Sequence, residues 1–393
     1  MHPEPDVPAA PKPRLITPPF LLIAVSALAY FTADGVLLPA VPRYVKGPLG
    51  GDDVAVGISV AAFALTALVF RPWAGRLGDR RGRRLLMTVG GAAVAVSVVG
   101  YLLATSVPSM IVFRFLSGFG EAFFFTGAAS AINDLAPEAR RGEAVSFFSL
   151  ALYVGIGVGP LIGEALIAEA GFTVTWLVAA GCAGLAAVLT LGVPETRPER
   201  AAEDGAARLL HPAAIRPGTA LLTSVWGMSG FFAFVPLYAL DIGLHGSRFV
   251  FLTYSAIVVA IRLFGARIPD LIGPVVASRS SLAASTVGLA VVAAWRSPVG
   301  LFVGVSIFAV GSALAFPALM MLALRGTPAS QRGAIIGTFT AFVDLGFGIG
   351  PATLGFVSEA FGYGGLFLTA SAVAAAGLAL LLTSYRVREP APA

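Results

Sequence analysis

Five charged residues stand where charge is expensive. Asp34, Arg114, Glu121, Glu164 and Asp344 each fall inside a long apolar run of this 393-residue sequence. A charged side chain at the centre of a membrane helix costs about 2.5–3.5 kcal/mol on the insertion scale, so its retention points to a task. A carboxyl in an apolar setting can carry a proton or hold a cation, and an arginine there can hold an anion or tune a neighbouring acid. Arg114 and Glu121 are seven residues apart, about 10.5 Å along one helix face, so each needs a partner on another helix. Glu121 lies near mid-depth, after Gly118 and Gly120 and before Phe123, Phe124 and Phe125. It reads as a proton or cation site, with a structural pair to an arginine as the alternative. Asp34, in the outer half of the first run, and Asp344, near the middle of the eleventh, are further candidates for proton coupling or substrate binding. Glu164 sits close to the outer end of its run, a position compatible with simple solvation.

These residues need elements to hold them, and the composition says where. Hydrophobic residues are 57% and charged residues 12%, against about 25% charged in a soluble domain. Mean hydropathy is +0.87. Such a chain cannot cover a water-facing surface, which excludes a cytosolic enzyme, a disordered protein and a secreted disulfide scaffold. The single cysteine, Cys182, has no internal partner. Neither lysine, Lys12 or Lys46, fits a phosphate-binding loop. His2, His211 and His245 show no metal-ligand spacing. No metal, organic cofactor, enzyme activity or nucleic-acid partner is expected.

A bilayer-spanning helix needs about 20 mostly apolar residues. Twelve such runs occur, at roughly 20–42, 54–73, 85–104, 108–131, 144–167, 172–193, 218–239, 249–265, 275–294, 299–322, 333–357 and 363–384. The expected organisation is a disordered tail (1–19), a six-helix half (20–193), a polar linker (194–217), a second six-helix half (218–384) and a short tail (385–393). Twenty-one Lys and Arg residues fall on one side, against Arg43, Lys46, Arg248 and Arg296 on the other. By the positive-inside rule both termini face the cytoplasm, in a cell (inner) membrane.

One offset, 191 residues, aligns three separate places. Arg71, Arg76, Asp79 and Gly82 fall on Arg262, Arg267, Asp270 and Gly273. Pro137, Arg141 and Gly142 fall on Pro328, Arg332 and Gly333. Gly155, Gly157, Gly159, Pro160 and Gly171 fall on Gly346, Gly348, Gly350, Pro351 and Gly362. The fold class is therefore all-α, with twelve transmembrane helices in two parallel six-helix pseudo-repeats, one of the known plans of secondary transporters. The intramembrane charges do not repeat. Asp34, Arg114, Glu121, Glu164 and Asp344 fall on Val225, Val305, Ser312, Gly355 and Tyr153. A purely architectural role would have repeated with the scaffold.

Gly75-Arg-Leu-Gly-Asp79-Arg80-Arg81-Gly82-Arg83-Arg84 resembles the signature loop of the major facilitator superfamily. Arg114-Phe-Leu-Ser117-Gly118-Phe-Gly120-Glu121 is similar to its fourth-span motif, and Gly155-Ile-Gly-Val-Gly159-Pro160-Leu-Ile-Gly163-Glu164 to its antiporter-specific fifth-span motif. Leu38-Pro39-Ala-Val-Pro42 and Pro194-Glu195-Thr196 resemble the twelve-span drug:proton antiporter branch. Ser117, Glu121 and Glu164 depart from that pattern, and the second-half loop around Asp270 is degenerate. The resemblance implies a cytoplasmic gate of Gly75, Asp79, Arg80, Gly82, Arg83, Asp134 and Asp270. In that gate Asp79 sits at the N-terminus of the eleventh helix and relays charge to Asp134. Gly155, Gly159, Pro160 and Gly163, with Gly346, Gly350 and Pro351, are expected to pack helices closely, as a seam or as a pivot between the halves. The leading functional expectation is a monomeric, proton-coupled exporter of small amphipathic molecules, driven by the proton gradient and working by alternating access. An importer or uniporter of a sugar or organic acid, and a non-transporting receptor or scaffold, are the alternatives.

Overall fold

The computed structural model describes residues 15–196, 211–265, 267–328 and 331–385. All regular structure among them is helical. The first half contains α1 (Pro18–Lys46), α2 (Asp53–Arg81), α3 (Arg83–Gly100), α4 (Val107–Leu135), α5 (Arg141–Glu169) and α6 (Gly171–Leu191). The second contains α7 (Pro212–Asp241), α8 (Arg248–Phe264), α9 (Pro274–Ala294) and α10 (Pro298–Leu324), then one run, Arg332–Ser384. That run leaves helical geometry at Gly362 (φ 67°) and so forms two helices, α11 (332–361) and α12 (363–384). Ten runs are long and apolar enough to cross a bilayer when the last is counted once. Dividing it, and adding the 17-residue α8, gives the twelve spans of two parallel pseudo-repeats.

Local sequence explains the ends. Ser106 and Ser297, 191 residues apart, each open a helix by accepting a backbone N–H, from Ser109 and Gly300, which satisfies a donor the helix leaves free. The turns Gly82 (φ 98°) and Gly273 (φ 81°), and Gly171 (φ 78°) and Gly362, share the same offset and the left-handed backbone that glycine tolerates. Packing repeats as well. A Cβ on Gly120 of α4 would lie 2.7 Å from the Gly90 carbonyl of α3, and one on Gly311 of α10 would lie 2.6 Å from the Ser281 carbonyl of α9.

Three expectations need correction. The Gly75–Arg84 segment is not a tight loop throughout: α2 stays helical to Arg81 and the chain turns only at Gly82. The fifth-span glycines are not a pivot between the halves. Gly155, Gly159 and Gly163 press on Phe31, Gly35 and Val36 of α1, within their own half, and Gly346 and Gly350 press on Val225, Trp226 and Ser229 of α7. The i,i+4 spacing places those glycines on one face. Gly157 and Gly348, two residues out of step, face the opposite half at Ser255 and Leu65. Pro160 lies inside α5; Pro351, inside α11, turns its carbonyl to Gly57 of α2. Third, α1 and α7 begin at Pro18 and Pro212, inside the segments read as tail and linker. The rest of those segments, 1–14 and 197–210, and residues 386–393 lie outside the described residues.

A Cβ on Gly159 would meet the Gly35 Cα at 2.5 Å and the Val36 nitrogen at 2.7 Å, both backbone atoms that cannot swing away. Gly159→Ala is expected to separate α1 from α5 at a cost of about 1–3 kcal/mol. It should lower the melting temperature of the purified chain. Gly181→Ala, in α6 with nothing near its Cβ position, should leave it unchanged or slightly raised.

Candidate functional site

Arg71 lies within α2, ten residues before its end at Arg81, and so inside the bundle. Its guanidinium pairs with Asp344 of α11, in the other half, and approaches Glu121 of α4 at 3.9 Å. It also lies over the Phe125 ring, 4.9 Å from the centroid. Its Nε is buried without a hydrogen-bond partner. Glu121 accepts a 2.7 Å hydrogen bond from the Tyr30 hydroxyl of α1. Tyr30 stacks on Phe124 with ring centroids 3.9 Å apart, which fixes the phenol beneath the carboxyl. Asp34 is one turn beyond Tyr30 on α1. It makes no hydrogen bond or ion pair among the described residues, and it sits in the field of Glu121 and Arg114. Three carboxyls and two guanidiniums thus share one region. With all five ionised, the carboxylates are in excess by one, and one proton or cation balances the set.

Arg114 does not face Glu121. Its Nε donates to the Ser59 carbonyl at 3.0 Å, an Nη donates to the Tyr101 hydroxyl at 3.5 Å, and the guanidinium covers the Phe63 ring at 4.6 Å. The Tyr101 hydroxyl is 2.8 Å from Ser117 Oγ, itself 2.7 Å from Ser97 Oγ. Ser117, a departure from the family motif, therefore belongs to the network that holds Arg114 against α2 and α3.

At the far end of α2, Arg83 is the hub. Its guanidinium pairs with Asp79 at 2.7 Å and with Asp134 at 3.3 Å. Glu195 accepts hydrogen bonds from the backbone N–H groups of Arg83 (2.5 Å) and Arg84 (3.3 Å), closing the first turn of α3. A Cβ on Gly82 would strike the Glu195 carboxyl. The Asp79-to-Asp134 link therefore runs through Arg83. Asp79 pairs within its own loop and makes no bond to α11 among the described residues. Gly75 is helical with open space at its Cβ position, and Arg80 is exposed. Asp270, on a short helix at Ile268–Ile272, is exposed and unpaired among the described residues. Pro274 stands where Arg83 would recur, so the relay cannot repeat.

The opposite end is sealed by carboxylates that cap helices across the halves. Glu164 is not solvated: it is 5% exposed. It accepts from the Ser247 N–H (2.6 Å), the Ser247 hydroxyl (2.7 Å) and the Arg248 N–H (3.0 Å), at the N-terminus of α8. Glu359 of α11 accepts from the Asp53 N–H of α2 at 3.0 Å, and Asp53 in turn receives Lys46 (2.7 Å) and Ser358 (2.6 Å). Among the described residues, the polar contacts between the halves run from this end as far as Arg71–Asp344 and Arg262–Tyr153. None lies on the Arg83 side.

The charge count assigned Arg71 and Arg262 to the cytoplasmic set, although both lie within the predicted runs 54–73 and 249–265. Their recurrence at offset 191 inside apolar sequence was the available signal. Glu195 stood out only within Pro194-Glu195-Thr196, with no role attached, and Tyr30 and Glu359 carried no signal. Arg71→Gln removes the one cation facing both Glu121 and Asp344. Breaking a fully buried pair costs about 3–5 kcal/mol. The Arg71 side chain is 28% exposed, so the loss expected is about 1–3 kcal/mol, read as a lower melting temperature. Adding Asp344→Asn to Arg71→Gln should recover part of it.

A family model described as the Major Facilitator Superfamily matches residues 23–351. An uncharacterised MFS-type transporter of Salmonella typhimurium is 30% identical over 372 residues, 92% of this chain and 95% of that one. Among solved structures, a bacterial homologue of the human lysosomal transporter Spinster, inward-facing and occupied, superposes with a TM-score of 0.77. It is 15% identical and the match covers 93% of this chain and 95% of that one. The human organic anion transporter MFSD10 gives 0.69 at 18% identity, covering 93% and 100%. These two likenesses establish the fold alone. The chain belongs to the major facilitator superfamily and is a multi-pass membrane transporter.

Proposed function

We propose that this transporter is a proton-coupled exporter of small amphipathic molecules, of the drug:proton antiporter kind, working by alternating access. The observation that carries the reading is the placement of Arg71 between Glu121 in its own half and Asp344 in the other. The ion pair is at once a charge balance and a tie between the halves. A proton on Asp344 removes its attraction for Arg71 and loosens that tie. Re-forming the pair drives the proton off. The positive-inside bias supports a cytoplasmic location for the Arg83 end, and taking Arg71 and Arg262 out of the count leaves that bias in place.

On this reading the halves stand apart on the cytoplasmic side, Arg71 is paired with Asp344, and the inward-delivered proton has gone. Cargo enters from the cytoplasm. Outward opening requires two sets of contacts to change. The caps from Glu164 and Glu359 release on the outer side, and the Asp79 loop closes against the α11 end on the inner side. Asp34, unpaired and close to Glu121, is positioned to pass a proton toward Glu121 and the Tyr30 hydroxyl that serves it.

The test is reconstitution in proteoliposomes with an imposed pH gradient, using trapped pyranine to follow protons and a panel of amphipathic dyes to follow cargo. Cargo flux should be accelerated by the gradient and accompanied by opposite proton flux. Glu121→Gln, Asp344→Asn and Asp34→Asn should each reduce the gradient-dependent part by about tenfold or more, the scale of a lost acid–base group. Gradient-independent flux untouched by all three changes would favour a uniporter instead.

A further inference from the structure

The 191-residue offset maps the whole Arg71 cluster onto a second one. Arg71, Glu121, Phe125 and Asp344 fall on Arg262, Ser312, Phe316 and Tyr153. The geometry follows the sequence. Arg71 of α2 meets Asp344 of α11, and Arg262 of α8 lies over the Tyr153 ring of α5, 5.5 Å from its centroid. Each pair joins one half to the other. The arginine is kept in both clusters, but both acids of the first are replaced by neutral hydroxyl side chains in the second. Among the described residues, no carboxylate lies within 4.0 Å of Arg262, and its Nε is buried with no hydrogen-bond partner. Ser312 Oγ is buried beside the Tyr254 hydroxyl. Tyr254 has both Tyr153 and Arg262 in its electrostatic surroundings.

A membrane-level guanidinium with no counter-charge is costly. A structural arginine at this place would keep at least one of the acids that its twin retains. Guanidinium and hydroxyl groups are all donors to an oxyanion, and Phe316, the counterpart of Phe125 at the 191-residue offset, packs against Phe339 with ring centroids 5.5 Å apart. We propose that Arg262, with Ser312 and Tyr153, forms an anion subsite between the halves, and that the cargo is an organic anion: an oxyanion head on an apolar body. The first cluster handles the proton and the second the anionic head. The inference rests on the transport reading only in taking the space between the halves as the passage.

Binding is tested without any gradient, on the full chain in detergent, by thermal shift. The probes are 4-phenylbutyrate, indole-3-acetate and naphthalene-2-sulfonate, against amines of matched size. At least one anion should raise the melting temperature of the wild type, and the amines should not. Arg262→Gln should weaken the bound anion by about tenfold or more, the weight of a charge-assisted hydrogen bond, while Arg262→Lys keeps part of the affinity. Tyr153→Asp, which rebuilds the acid of the first cluster, should abolish binding while leaving a monodisperse, cooperatively melting protein. No shift with any anion, equal shifts with the amines, or an anion shift that survives Arg262→Gln and Tyr153→Asp would overturn the subsite. Anion binding intact alongside gradient-independent flux would instead overturn proton coupling alone.

Discussion

A guanidinium shared by two carboxylates from different helices is the interaction on which the rest of this bundle turns. At membrane level each charge is costly without its partner, although the partial exposure of Arg71 tempers that cost. Arg71 therefore holds α2 to α11 for as long as Asp344 is ionised, and the proximity of Glu121 gives the same arginine a second acid to serve. An apolar seam changes little with a single proton, whereas an ion pair changes by a full charge.

The ends of the bundle obey a different rule. Glu164 and Glu359 do not pair with arginines across the halves. They accept backbone N–H groups at the starts of α8 and α2. A helix N-terminus carries unsatisfied donors and the positive end of the macrodipole, so a carboxylate is stable there without a counter-ion. Such caps are directional and short-ranged, and they fail together once two helices part by more than a hydrogen-bond length. The Arg83 hub at the other end keeps its bonds within one half, so it does not depend on contact between the halves.

Much of the fold was legible because it rests on quantities that a sequence carries directly. Span length and apolarity gave the helices, and the repeated glycines gave the 191-residue register, which Gly82 with Gly273 and Gly171 with Gly362 reproduce in the backbone. The buried acids were also legible, since charge in an apolar run is conspicuous. Their partners were less so. Arg71 adjoins an arginine-rich loop and was counted with it, and Tyr30 looks like any aromatic in a membrane helix. Which face of α5 meets α1 and which meets α8 follows from rotation about the helix axis. A two-residue step from Gly155 to Gly157 changes the neighbour from Phe31 to Ser255, and motif spacing alone does not say which half lies on which side.

On the proposed reading, duplication followed by asymmetric substitution lets one scaffold carry two chemistries. The backbone places an arginine at the same depth in α2 and α8, and the facing positions on α11 and α5 are then free to differ. An acid opposite Arg71 makes a switch whose state depends on a proton. A phenol opposite Arg262 leaves the cation available, since an aromatic ring attracts a guanidinium without neutralising it. Had both positions kept the acid, the two ties between the halves would respond to the same signal, and the passage would present no free positive charge. Had both lost it, nothing at mid-depth would register a proton. On the proposed reading, the difference between Asp344 and Tyr153 is the smallest change that would separate energy coupling from cargo recognition within a pseudo-symmetric body.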